Sequence, residues 1–250
     1  MEQAPARDRK EDQHRHLARE GHHIERTRRR CPRFWPWGHV RIVGAQGVGC
    51  GKFTGVIADR FRTILDFYER ELPIQRAEYS PAADTAELER LPPQLVPLFE
   101  LCNGTGSSGG FFGNDLLSVA GLEASRSEWE LIIASSDDPD GDYHDVIESR
   151  SPDAVSALYW KTGWVPFSVD GGGNGFALDL APEPGGTIGQ IINYGPDEDY
   201  RVVVADSLES FFDKIVALLD AGAAVVDRDA GWVNFVVDGR ETHLLTALRA

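Results

Sequence analysis

Asp170 and Asn174 bracket three glycines in the run Asp170-Gly171-Gly172-Gly173-Asn174, and Asp179 follows on the next apolar stretch. Oxygen donors set this close could meet a cation or a basic group of a partner. Asp and Asn are also the residues a glycine turn uses to bond its own backbone, which is the plainer reading. A second oxygen-rich stretch, Ser136 to Asp145, carries Asp137, Asp138, Asp140 and Asp142. Asp138, Asp140 and Gly141 resemble the middle of a calcium loop, but Ser136 would be the first ligand and Ile147 the twelfth, with Glu148 one place off. A solvated acidic loop is the reading that remains.

Three further patterns promise chemistry that their contexts deny. Gly106-Ser107-Ser108-Gly109-Gly110 has the Gly-x-Ser-x-Gly form of a hydrolase nucleophile elbow, which needs a strand before it and a helix after it. Here a helical stretch precedes and Phe111-Phe112 of a strand follows, so the segment reads as a loop. Gly44 to Thr54 looks like a phosphate loop, yet Gln46 and Phe53 stand where that motif requires glycine and a hydroxyl residue, and a flexible linker fits better. His14, His16, His22 and His23 lack acidic or cysteine ligands at fixed spacing, so no metal is expected. His39 also falls in the N-terminal segment, and beyond that segment His144 and His243 are the only histidines, which leaves few candidates for a general base.

The elements that must position these residues follow from periodicity. Ile57, Phe61, Ile64, Leu65, Tyr68 and Leu72 recur at helical spacing until Pro73, predicting a helix over residues 56 to 71. Helices are also expected from about 81 to 90, from Pro92 and Pro93 to Cys102, over Glu123 to Ile133 with Trp129 as anchor, and from a Ser151-Pro152 cap to Tyr159. Trp164 to Val169 and Gly175 to Leu180 flank the glycine turn as a hairpin. Phe176, Leu178 and Leu180 alternate with Ala177 and Asp179, so one face should be buried and Asp179 left on the other. Ile188 to Tyr194 and Arg201 to Ala205 are further strands. Ser207 caps a helix with Leu208, Phe211, Phe212, Ile215, Leu218 and Leu219 on one face, and a hairpin and short helix end the chain. Trp164 belongs to the core by strand position, whereas Trp160, beside Lys161, is expected to be partly exposed and able to serve a partner.

The order Trp164-x-Pro166-Phe167, an acidic glycine turn, a strand ending in Asp179-Leu180-x-Pro182, then Gly185-Gly186 and Gly189-Gln190-Ile191-Ile192 resembles the central signature of the SUKH superfamily. Ala205 to Phe212 is similar to that family's Ala-x-Ser-Leu-x-x-Phe helix start. Leu91-Pro92-Pro93 through Asn103-Gly104, followed by Leu116-Leu117-Ser118, is similar to its upstream part, so the resemblance runs over roughly residues 56 to 222. It implies an α+β fold, a mixed, mostly antiparallel sheet of about six strands with helices packed around it. It also implies a protein that binds other proteins rather than an enzyme: foremost a bacterial immunity protein that neutralises a toxin, with a scaffold or regulator of an endogenous partner, as among fungal cell-wall assembly regulators, as the alternative.

Composition bounds the rest. The 250 residues carry 25 basic and 40 acidic side chains. Residues 1 to 55 hold 12 of the basic and 6 of the acidic ones, leaving 13 against 34, a net charge of −21, for residues 56 to 250. The first segment, basic and nearly free of apolar residues, is expected to be disordered up to a glycine-rich linker, and residues 56 to 250 to form one domain, with a C-terminal hairpin and helix from 223. So acidic a domain disfavours nucleic acid and anionic membranes and favours a basic partner such as a nuclease toxin, the acidic loops at Asp137 to Asp142 and Asp170 to Asn174 forming the binding rim. Three unpaired cysteines and the lack of a long apolar run point to a cytoplasmic protein without disulfides, cofactor or metal.

Overall fold

A computed structural model describes residues 53 to 135 and 147 to 250. Its first helix, α1 (Phe53–Glu71), buries Ile57, Phe61, Ile64 and Tyr68 at the expected spacing. Pro73 ends that run and starts the single turn of α2 (Pro73–Ala77). The next two helices are much shorter than the periodicity suggested. In α3 (Thr85–Leu88) the cap is Asp84, whose carboxylate accepts from Glu87 N–H while the Glu87 side chain accepts from Asp84 N–H. The helix therefore starts later than Pro81. In α4 (Val96–Phe99) Pro97 occupies the first turn, and Pro92 and Pro93 supply no N–H to extend it backward.

After β1 (Asp115–Leu116), α5 (Val119–Ser135) starts a turn earlier than expected, because Asn103 Oδ1 accepts from Val119 N–H and Ser118 Oγ from Gly121 N–H. Beyond β2 (Glu148–Ser149), the stretch Ser151 to Tyr159 makes turns and no helix. One turn closes, with Val155 N–H on Ser151 O at 2.8 Å, but the carbonyls of Leu158 and Tyr159 turn instead to the guanidinium of Arg201.

The hairpin is present as β3 (Trp164–Pro166), β4 (Ser168–Val169) and β5 (Gly175–Asp179), followed by β6 (Gln190–Tyr194), β7 (Tyr200–Arg201) and β8 (Val203–Ala205). Ser207 accepts from Ser210 N–H at the start of α6 (Leu208–Asp220), and the chain ends with β9 (Ala224–Asp227), β10 (Trp232–Val237), β11 (Arg240–Thr242) and α7 (Leu244–Leu248). The class is α+β. Among the described residues, however, the strands divide into four small sheets rather than one. The central sheet runs β3-β5-β6-β8, all antiparallel. β4 bends away to pair with β1, β2 pairs with β7 in parallel, and β9, β10 and β11 form a separate antiparallel meander. All described residues lie in one compact unit.

Both faces of the central sheet are covered. Phe176 meets Phe211 of α6 edge to face at 5.0 Å, within an aromatic cluster that includes Phe111, Phe167 and Phe212. On the other face Ala177, Ile192, Trp164 and Tyr194 pack with Trp129 of α5, Val155 and Trp160. Two expectations are thereby corrected. Asp179 is fully buried on the tryptophan face, with Oδ1 accepting from Ala181 N–H at 2.9 Å and Oδ2 from Gln190 Nε2 at 3.0 Å. Trp160 is buried too, stacked on Trp129 at 5.5 Å, and so serves the core rather than an exposed surface. No helix among the described residues is long and apolar enough to cross a membrane.

Candidate functional site

The Asp170 to Asn174 turn is rigid because it bonds itself. Asp170 Oδ1 accepts from the N–H groups of Gly172 and Asn174, both at 2.8 Å, and Asp170 N–H donates to Asn174 O at 2.6 Å. Gly173 takes a φ of 91°, which a side chain would strain. In the β5–β6 register Gly175 stands opposite Tyr194, so this turn lies beside the loop that follows β6. Asn174 fastens the two: its Oδ1 accepts from Asp197 N–H at 2.9 Å, and its Nδ2 donates to Asp170 Oδ2 at 3.1 Å and Asp197 Oδ2 at 3.4 Å. Gly195 makes the approach possible, since a Cβ there would stand 2.4 Å from Asn174 Cα.

These two loops and the start of α7 enclose a cleft of about 270 Å³. Its floor is apolar, from Phe112, Phe176 and Leu244; its rim is polar, from Asp170, Asn174, Glu198, Tyr200 and His243. Phe112 holds a φ of 54°, rare for a bulky residue, and its N–H donates to the buried Tyr68 hydroxyl at 2.5 Å. Glu198 is half-buried. Burial raises its carboxyl above the usual range, against the opposing influence of the bond from Asn193 Nδ2 to Oε2 at 3.0 Å and of Arg201 nearby. That leaves Oε1 without a bond among the described residues. Behind it the buried Arg201 donates to the carbonyls of Leu158, Tyr159, Glu198 and Gly195, and burial pulls its guanidinium down to about 10, still protonated at neutral pH. The Tyr200 ring lies under two guanidiniums, Arg150 at 3.6 Å and Arg249 at 4.8 Å, and its hydroxyl accepts from Arg249.

Of the residues the sequence pointed to, Asp170 and Asn174 line this cleft, with most of their hydrogen-bonding capacity spent on the turn. Trp160 is in the core. Asp137, Asp138, Asp140 and Asp142 lie outside the described residues, as do the histidine cluster, the glycine-rich stretch up to Lys52 and the expected disorder of the N-terminal segment. Gly106 to Gly110 is a loop that closes on the Asp115 carboxylate through Gly109 N–H at 2.7 Å, with no strand leading into it. Sequence reasoning missed Glu198, Tyr200, Arg201 and Arg249. A partial signal was there in Pro196-Asp197-Glu198-Asp199, a second acidic turn one strand after the first. Among the described residues no group of three or more His, Cys, Asp or Glu side chains is placed to hold a metal. What the cleft offers is recognition, by charge and hydrogen bonds above an apolar floor.

Residues 85 to 214 match the SMI1 / KNR4 family (SUKH-1). The chain is 33% identical over 132 residues to the cell wall biosynthesis/cell cycle regulator smi1 of Schizosaccharomyces pombe, a match covering 50% of this chain and 26% of that protein. It is 42% identical over 82 residues to the glucan synthesis regulatory protein of Neurospora crassa, covering 33% of this chain and 15% of the relative. With the cell wall assembly regulator SMI1 of Saccharomyces cerevisiae the figures are 37% over 75 residues, 30% and 15%. The match thus spans about a quarter or less of each relative's length.

Proposed function

The chain belongs to the SMI1/KNR4 family (SUKH-1), and from that premise we propose that it is a regulatory protein that acts by binding an endogenous protein partner, without catalysis. The cleft carries this reading. Asp170 and Glu198 put carboxylates over a floor of Phe112, Phe176 and Leu244, in a volume of about 270 Å³. Small-molecule sites run from about 300 to 1,000 Å³, so this one suits a single long side chain better than a cofactor. A lysine or arginine of the partner fits its chemistry, with the alkyl stem on the aromatic floor and the charge at the Glu198 and Asp170 carboxylates. The net charge of −21 over residues 56 to 250 draws a basic partner from a distance. Charge alone served equally well for neutralising a basic toxin. The names of the relatives, regulators of cell wall assembly and glucan synthesis, favour the regulatory reading.

The test is partner recovery with the wild type and with Asp170→Asn/Glu198→Gln, which removes both charges but keeps the acceptor that the turn needs. Affinity of the purified partner should fall with salt for the wild type. It should drop about tenfold in the variant, about 1.4 kcal/mol, with the fold retained by circular dichroism. Equal binding by both proteins would move the contact off the cleft. Recovery of a toxin whose activity the protein abolishes would reinstate the immunity reading.

A further inference from the structure

Among the described residues the meander β11-β10-β9 ends in an edge that no further strand pairs. Val236 N–H donates to Ala223 O and Gly231 N–H to Asp227 O, both at 2.8 Å, which fixes the phase of the β9–β10 ladder. Residues 223, 225 and 227 turn their backbone groups to β10. Ala224 and Val226 therefore direct N–H and C=O away from it, to the side where β9 has no neighbouring strand among the described residues. That edge borders a groove of about 630 Å³ whose far wall is α1. Thr63, Asp66, Phe67, Arg70 and Glu71 line that wall, positions three and four apart that share one helix face. Arg228 closes one end through its bond to Glu71, which Arg70 also holds at 2.8 Å. A strand edge facing a helix across a groove is the geometry in which an extended peptide adds to a sheet. Every residue lining the groove lies outside residues 85 to 214, the part shared with the family.

The outer face of the same meander adds a second feature. Trp232 is 59% exposed, Val236 42% and Val225 38%, and pairing of Val225 with Asn234 puts all three on one side. A strand laid on the β9 edge would continue that apolar stripe beside Val225 and cover the N–H and C=O groups of Ala224 and Val226.

We infer that the β9 edge and the α1 groove form a second docking surface, which takes an extended segment of a partner protein carrying alternate apolar residues and at least one lysine or arginine facing the groove. Charge decides between this occupant and a second copy of the chain. Arg70 and Arg228 are engaged by Glu71, whereas Asp66 and Asp220 in the groove carry no ion pair among the described residues. Pairing β9 with its own copy would set these aspartates against another acidic domain, and like charges at an interface oppose association. A basic segment relieves both.

The test titrates the full chain with the hexapeptide Val-Lys-Val-Lys-Val-Thr-amide, labelled with fluorescein on its N-terminal amine, and with the version carrying glutamate for lysine. The lysine peptide should bind saturably at up to millimolar concentration, slow amide exchange at Ala224 and Val226, and outbind the glutamate peptide. Asp66→Lys/Asp220→Lys should weaken it about tenfold. Val226→Pro should abolish it, because proline removes an edge N–H that the β9–β10 ladder does not use. Should Val226→Pro fail to fold, the exchange pattern and the aspartate variant still decide. A flat titration, binding that ignores the aspartates and leaves those two amides unprotected, or a dimer of the free protein that Val226→Pro dissolves would each overturn the inference. Asp170→Asn/Glu198→Gln should bind the hexapeptide normally, so failure here and failure of the cleft are told apart.

Discussion

Arg201 shows how much a single side chain can organise. It is a fully buried cation bonded to four carbonyls, from Leu158, Tyr159, Gly195 and Glu198. It ties the irregular stretch before β3 to the loop beside the cleft. Removing it leaves four carbonyl acceptors without their donor and takes a fully buried cation out of their midst, so Arg201→Met should cost about 3 to 5 kcal/mol in chemical denaturation. Arg201→Lys should recover little, since an ammonium cannot span the same fork of acceptors. A loss below about 1 kcal/mol would show that the carbonyls find other donors. Cys102 illustrates the opposite use of burial. Its thiol donates to Gly104 O at 3.1 Å and is pushed up to about 11 by desolvation, a core residue rather than a reactive one.

Between elements, the junction that matters for the cleft is the one Asn174 makes. The β4–β5 turn and the β6–β7 loop touch through its amide, and the strands behind them hold the register. Asn174→Ala removes four side-chain bonds while leaving Asp170 Oδ1 on the N–H groups of residues 172 and 174. The turn should therefore persist and the latch should open. Expected are a loss of about 1 to 2 kcal/mol and faster amide exchange at Asp197, with exchange in β5 and β6 unchanged. Slowed or unaltered exchange at Asp197 would mean that Gly195 and Pro196 hold the loop without Asn174.

At the scale of the molecule, burial raises three carboxyls among the described residues above their usual range: Asp115, Asp179 and Glu198. A carboxyl whose folded pKa exceeds its unfolded value binds its proton more readily when folded. Its contribution to stability is thus complete below the unfolded pKa and is lost as pH rises through the folded one. Glu71 and Glu183 are lowered by hydrogen bonds, to Arg70 and Ser156 first, and act in the opposite sense, but they sit where solvent screens them. Relief of the −21 charge on residues 56 to 250 works in the same direction as the buried trio. The melting temperature should accordingly rise as pH falls from 7 toward about 5. Asp115→Asn/Asp179→Asn/Glu198→Gln should flatten that rise. A midpoint that drops steadily from neutral pH would assign the dominant linkage to the paired surface carboxylates.

Local order was legible because it is written in neighbouring residues. The period of Ile57, Phe61, Ile64 and Tyr68 is α1, Ser207 followed by Phe211 and Ile215 is α6, and Asp170 to Asn174 can only be a turn between strands. Alternation along β5 could say that Phe176 and Leu178 share a face, but not what covers the other. That depended on α5 and the stretch after β2, which bring Trp129, Val155 and Trp160 onto Ala177 and close solvent off from Asp179. Likewise nothing in the sequence joined the Asp170 to Asn174 turn to Pro196-Asp197-Glu198-Asp199; antiparallel pairing of β5 and β6 set the two side by side, and the start of α7 completed the cleft. A sequence pattern reports the dihedrals and one face of its own segment. Burial of the opposite face, the division of strands among sheets and the cavities between elements depend on segments tens of residues away, and only packing of the whole chain decides them.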